Sequence, residues 1–244
     1  MNIIKPHIWT HNVDEARDIQ LWLRSRVKLD DRFNIDNKIS NIIWCSATYD
    51  YTKWPEVVYA VANLYKWPSF NCIGSGYGHC EPTIPAINDV ISFRNVPPML
   101  MAINNVIQIT GIEPNMIICD GEGIAHPNRF GTASHIGILT DKTTIGVTTS
   151  TDCVINNNDI LMQEEIYVVN NDITKKIGFI MDDIKYPSLV GKVLNGYYIS
   201  PGHMITVDSA LAVMKHVFKK SPDILDVTAS ELDLYMKMNE VYDG

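Results

Sequence analysis

The sequence predicts an α/β domain whose sheet mixes an antiparallel meander with parallel strands and is flanked by helices. Two observations lead there. Three β-rich runs, Asn41 to Thr48 (NIIWCSAT), Val57 to Leu64 (VVYAVANL) and Ser69 to Gly76 (SFNCIGSG), follow one another with turn residues between them, which is the pattern of a meander. After them the pattern changes to strand, helix, strand with short links, which favours parallel pairing. The 244 residues carry 46% hydrophobic and 20% charged side chains, enough to bury one large core without staples, so one domain over residues 1–244 is expected.

Each element has its own warrant. Asn12 to Val27 reads as a helix: Asn12 can cap it, Asp14 and Glu15 suit its first turn, and Arg24 and Arg26 its last. Ile19, Leu21, Leu23 and Val27 give it an imperfect apolar side. Pro97 to Ile109 reads as a second helix with proline near its start, stopped by Glu113-Pro114. Met116 to Cys119 is a short buried strand, Gly131 to Leu139 a helix of small and apolar residues, and Thr143 to Thr148 a strand. Glu165 to Val169 and Lys176 to Met181 suggest a hairpin, and Tyr197 to Ser200 a short strand. Thr206 to Phe218 and Ala229 to Asn239 are the closing helices.

Composition narrows the function classes. A net charge of −8 disfavours a non-specific nucleic-acid binder, which needs a basic surface; nucleic-acid binding, if present, must be local. No apolar run reaches bilayer length, so a cytoplasmic protein with no membrane partner is expected. Cys45, Cys72, Cys80, Cys119 and Cys153 form no Cys-x-x-Cys pair, and free thiols are expected.

The chemistry concentrates in CDGEGIAHPNRFGTASH, residues 119–135. Asp120 ends a buried strand, where ligands gather in α/β sheets, and a carboxylate there can hold magnesium. The plainer reading is that Asp120 caps a turn and Glu122 is solvated. His126 precedes Pro127 and so sits on extended backbone; His135, inside an apolar helix, reads as a core residue. His203, in Ser200-Pro201-Gly202-His203, lies in a strand-to-helix turn that suits an anion. His7, His11, His79 and His216 lack such a setting. The glycines of GSGYGH (Gly74, Gly76, Gly78) lack the following helix of a dinucleotide loop. Trp44, Trp54 and Trp67 read as packing.

In order and spacing these pieces resemble the endonuclease V family. The resemblance rests on Ser92-Phe93-Arg94, Asp120-Gly121, Gly123-Ile124-Ala125-His126-Pro127, Arg129-Phe130-Gly131, Ala133-Ser134-His135, Thr144-Ile145-Gly146-Val147 and Ser200-Pro201-Gly202-His203; Ala16, Gln20, Leu23 and Val27 are similar too. It implies an RNase H-like core, and cleavage of DNA or RNA one nucleotide past a deaminated purine, usually inosine, with Mg2+ or Mn2+. It also implies a base pocket, here Tyr49, Gly121, Gly123, Gly146 and Gly202. Of the four chemical groups it implies, only Asp120 is present: Ser46 stands for an Asp, Asn95 for a Glu and Thr149 for a Lys. The strand-parting wedge reads Pro82-Thr83-Ile84-Pro85-Ala86, without its aromatic tip.

The expected function is therefore binding of nucleic acid, single-stranded or base-modified, or of a nucleotide, with metal-dependent cleavage lost or greatly weakened and at most a weak metal site at Asp120. The alternative is changed chemistry on a nucleotide-like substrate, with Asp120, Glu122, His126 and His203 as the catalytic groups. Asp50, Asp89 and Glu122 are the carboxylates that could replace the lost ligands.

Overall fold

The computed structural model describes residues 3–32, 39–50, 56–149 and 197–239, together with the backbone of 161–169, 172–180, 189–194 and 240–242. Trp54, Cys153 and Met181 lie outside the described residues. In chain order the elements are α1 (Val13–Arg24), β1 (Asn41–Asp50), β2 (Val57–Lys66), β3 (Asn71–Cys80), a 3-10 turn (Asn88–Val90), α2 (Ser92–Thr110), β4 (Met116–Asp120), α3 (Thr132–Thr140) and β5 (Thr143–Thr148). Then come β6 (Leu161–Val169), β7 (Asp172–Ile180), β8 (Leu189–Leu194), β9 (Tyr197–His203), α4 (Val207–Lys220) and α5 (Ile224–Tyr242).

The described strands form one sheet in the order β3-β2-β1-β4-β5-β9-β8-β7-β6. The meander β1, β2, β3 is antiparallel, β1, β4 and β5 are parallel, and β5 meets β9 antiparallel. The expected hairpin of β6 and β7 is antiparallel and longer than its sequence pattern.

Alternation along the strands assigns the two faces. Ile43 and Cys45 of β1, Ala60, Ala62 and Leu64 of β2, and Ile117 and Cys119 of β4 pack with Val96, Met99 and Ile103 of α2 and Ala133 and Ile136 of α3. The alternate residues Ile42, Trp44, Met116, Ile118, Ile145 and Val147 pack with Ala210, Val213, Met214 and Val217 of α4. Tyr59 and Val61 meet Leu232 of α5. Trp44 is fully buried and Trp67 packs on the same cluster. The described cysteines, Cys45, Cys72, Cys80 and Cys119, are free.

The glycines of GSGYGH have a packing reason. A Cβ at Gly76 would overlap the Ala102 carbonyl, and one at Gly78 would lie 2.7 Å from the Met101 Cβ, so they let α2 settle directly on β3.

Several boundaries differ from the sequence expectation. Helix α2 begins at Ser92 rather than Pro97 and runs through Pro97 and Pro98. Two interior prolines deprive Phe93 and Arg94 of their i+4 N–H partners, but the extra turn and a half buries Phe93 and Val96 completely, and that burial prevails. Its stop is Gly111, at φ 70 with its N–H on the Ile107 carbonyl, and not Glu113-Pro114. In α1, Asn12 caps as expected, accepting from the amides of Asp14 and Glu15, but the buried side is Ala16, Gln20 and Leu23, and Leu21 is exposed. β3 starts and ends later than Ser69 to Gly76, β9 reaches His203, and α5 extends past both ends of Ala229 to Asn239. No helix of the described residues is long and apolar enough to cross a membrane.

Candidate nucleic-acid site

β1 and β4 run parallel with Cys45 beside Cys119, which sets Ser46, in the middle of β1, beside Asp120, the last residue of β4, on the face of Trp44 and Ile118. Ser46 Oγ donates to Asp120 Oδ2 at 2.7 Å. Ser46 is buried and Asp120 partly so. Burial pushes the Asp120 carboxyl above its ordinary pKa, and the Ser46 hydrogen bond opposes that rise. Asn95 lies in the first turn of α2; its Oδ1 is buried and has no hydrogen-bond partner among the described residues. Thr149 follows the end of β5 and is exposed.

These groups supply one carboxylate, two hydroxyls and one amide oxygen. Among the described residues no three His, Cys, Asp or Glu side chains converge to hold a metal ion. Magnesium dehydrates reluctantly and is held through carboxylates and substrate phosphates. One oxygen of the single carboxylate already accepts from Ser46. The donor set does not fit the strong divalent site that the sequence motifs imply for the family.

The Asp-Gly-Glu-Gly turn crosses the last residues of β5 and the middle of β9. Gly121, at φ 144, donates its N–H to the Val147 carbonyl at 2.7 Å. The Gly123 N–H donates to Ser200 Oγ at 2.9 Å, and Ile124 N–H to the Pro201 carbonyl at 2.9 Å. A Cβ at Gly123 would overlap the Pro201 carbonyl, one at Gly146 the Gly123 amide, and one at Gly202 Thr144 Oγ1. These three buried glycines form a close crossing of backbones. Of the expected base-pocket residues, Tyr49 and Gly121 are the ones that keep some exposure.

Tyr49 lies under Arg94, whose Cζ is 4.7 Å from its ring centroid. The guanidinium is fully buried, ion-paired with Glu56, and its Nη1 donates to the Ile84 carbonyl at 3.4 Å. Ile84, in the wedge segment, is buried beside Phe93 and Val90, so Arg94 ties the wedge to the ends of β1 and β2.

His126 is buried. Its Nδ1 accepts from the Asn128 N–H at 3.1 Å and its Nε2 faces the Asn88 carbonyl at 3.4 Å, an arrangement that puts the proton on Nε2. Burial lowers its pKa, and Glu122 pulls the other way. Gln20 locks the same loop: its Nε2 donates to the carbonyls of Asp89 and Phe130 at 2.9 and 2.8 Å, and its Oε1 accepts from Asn128 Nδ2 at 2.8 Å.

The structure groups the sequence-predicted residues unequally. Asp120 sits with Ser46, Glu122 acts on His126, and the Asp89 carboxylate is ion-paired with Arg17 at 2.7 Å. His203 joins none of them. It is the last residue of β9, not part of an open turn before α4, and pairs with Thr144, at the end of β5 remote from the Asp120–Val147 pair. Its Nδ1 accepts from the Lys28 N–H at 3.2 Å, and burial, then Lys28, lower its pKa to about 4. Among the described hydrogen bonds His203 meets none of Asp120, Glu122 and His126; its ring is held by the Lys28 amide instead.

Sequence reasoning missed the partners that hold the site. A glutamine on the buried side of α1 was the available signal for the Gln20 lock. Nothing local linked Arg94 to Glu56, or His7 to His135, whose Nε2 atoms lie 2.8 Å apart while His135 Nδ1 meets Ser92 Oγ at 3.2 Å.

The sheet order, the helices on both faces and a carboxylate at the end of a central parallel strand define an RNase H-like fold. Residues 22–224 match the Endonuclease V family model, and the chain belongs to that family. Endonuclease V of Nostoc sp. is 30% identical over 217 residues, 86% of this chain and 88% of the relative. That of Rippkaea orientalis is 34% identical over 141 residues, where the match spans 57% of this chain and 57% of the relative. Among solved structures, endonuclease V of Streptomyces avermitilis has a TM-score of 0.74 at 24% identity, covering 98% of this chain and 100% of that one. Endonuclease V of Ciona intestinalis, in complex with a 24mer DNA containing an inosine followed by a ribo-adenosine, has a TM-score of 0.64 at 18% identity, covering 84% and 88%.

Proposed function

We propose that this chain binds nucleic acid containing a deaminated purine of the inosine type, or the matching nucleotide, and that metal-dependent phosphodiester cleavage is lost or greatly weakened. The carrying observation is the hydrogen bond from Ser46 to Asp120, which occupies the place where the family resemblance implies a second carboxylate. Asn95 and Thr149 are likewise uncharged.

Binding is supported by family membership and by the inosine-containing DNA on the Ciona relative. In this reading Tyr49 supplies a ring face, the neutral His126 and the Gly121 turn shape the pocket, and the Gln20 and Arg94 contacts hold its loops. Extruding a base from a duplex costs a few kcal/mol, and less from a single strand. With Thr83 where the wedge tip would be, a single strand is the easier ligand.

The test uses single-stranded oligonucleotides with inosine or adenosine at one position, in EDTA and in Mg2+ or Mn2+. Preference for inosine in both conditions, without nicking, is expected. Nicking by the unaltered chain at an ordinary enzymatic rate would overturn the reading. The triple variant Ser46→Asp, Asn95→Glu, Thr149→Lys is expected to gain metal-dependent nicking.

A further inference from the structure

Residues 3–9, ahead of α1, form a strap. Its Ile4 N–H donates to the Leu139 carbonyl at 2.7 Å, and His7 packs on His135 and Phe93. Between this strap and α2 lies a cavity of about 690 Å3, walled by Ile3, Ile4, Ile8 and Trp9 on one side and Leu100 and Met101 on the other. That volume is in the range of small-molecule sites, ~300–1,000 Å3.

The lining is nearly all apolar. Ile8 is 86% exposed, and Ile4 and Met101 are about half exposed, so apolar surface is left facing water. His7 also lines the cavity, but both its nitrogens are engaged, Nδ1 with the Ile8 carbonyl and Nε2 with His135. Burial keeps the Cys80 thiol protonated. Lys5 is the one lining residue with a formal charge, is exposed, and has no ion pair among the described residues.

We propose that this cavity binds a free small molecule with an apolar body and a single anionic group, the chemistry of a medium-chain fatty acid or an aryl carboxylate. The tail covers Ile8, Leu100 and Met101, and the acid pairs with Lys5. An uncharged apolar ligand leaves Lys5 hydrated and gains nothing from it, a single anionic group adds a rim ion pair, and a dianion would have a second charge with no partner. The site is separate from Asp120 and does not depend on the nucleic-acid reading.

Calorimetric titration of the full chain with dodecanoate, with dodecanol, and with phosphatidylcholine vesicles containing or lacking phosphatidylserine tests it. Expected are saturable binding of about one dodecanoate per chain, a loss of roughly tenfold in Lys5→Glu with dodecanol unchanged, and loss of both ligands in Met101→Arg. Both positions are exposed, and circular dichroism confirms that the variants fold. Equal binding of dodecanoate to Lys5→Glu, heat that does not saturate, binding only to vesicles, or a dimer abolished by Met101→Arg would each overturn the proposal.

Discussion

Replacing Asp120 by Asn separates a metal-holding carboxylate from a leftover one. In a metal-dependent nuclease this change removes a ligand and weakens the hold on the phosphate. Here Asp120 faces any bound phosphodiester as a like charge, its sole described side-chain partner being the neutral Ser46. Two unit charges ~5 Å apart at a half-buried site, with an effective dielectric of ~40–80, repel by about 1–2 kcal/mol. Asp120→Asn should therefore tighten binding of an inosine-containing single strand roughly five- to thirty-fold. Asn can still accept from Ser46 Oγ, so the local geometry is preserved. Because burial raises the Asp120 pKa, the unaltered chain should also bind more tightly as pH falls and the carboxyl protonates, while the Asn variant should show less of this dependence. Fluorescence anisotropy in EDTA and in Mg2+, across a pH series, reads both effects. Weaker binding by Asp120→Asn in Mg2+, together with a metal requirement in the unaltered chain, would refute the reasoning.

Other consequences are as direct. Burial lowers the pKa values of His7, His126, His135 and His203, so the unfolded chain takes up protons that the folded chain refuses. Stability should hold above about pH 6.5 and fall below it, each histidine contributing up to ~1.4 kcal/mol per pH unit until its folded pKa is reached; Asp120, with a raised pKa, works the other way. Urea titrations at pH 7.5 and 5.5 check the net loss. Gly78→Ala should cost about 2–3 kcal/mol by driving a Cβ into α2, whereas Gly111→Ala, with open space but φ 70, should cost only about 1 kcal/mol; denaturation midpoints separate the two. Gln20→Leu leaves the Asp89 and Phe130 carbonyls without their donor and should destabilise by about 2–4 kcal/mol, with faster amide exchange across residues 126–130.

Much of the fold was legible because local pattern and tertiary role agree. Unbroken burial, from packing on both faces, matches the β-rich runs of β1 and β2, Asn12 caps α1, and the amphipathic stretch of α4 begins at its Thr206 cap. Expectation failed where tertiary burial overrode a local rule. The rule that proline opens a helix placed α2 five residues late, since no local signal says that Phe93 and Val96 will be enclosed. The reading that β9 stops at Ser200 fell short because ladder pairing with β5 carries the strand on to His203.

By itself the sequence determined the mixed α/β plan and family resemblance, and the replacement of three expected charged groups by Ser46, Asn95 and Thr149. Those are properties of residue type and order. Only the tertiary structure decided that Ser46 donates to Asp120, that the Glu122 charge comes near enough to oppose the lowering of the His126 pKa, and that Asp89 is ion-paired with Arg17. It also placed His203 beside Lys28. Pairing among these groups depends on strand register and on which loops cross, and both are set by packing between segments distant in the chain, so no local pattern carries them.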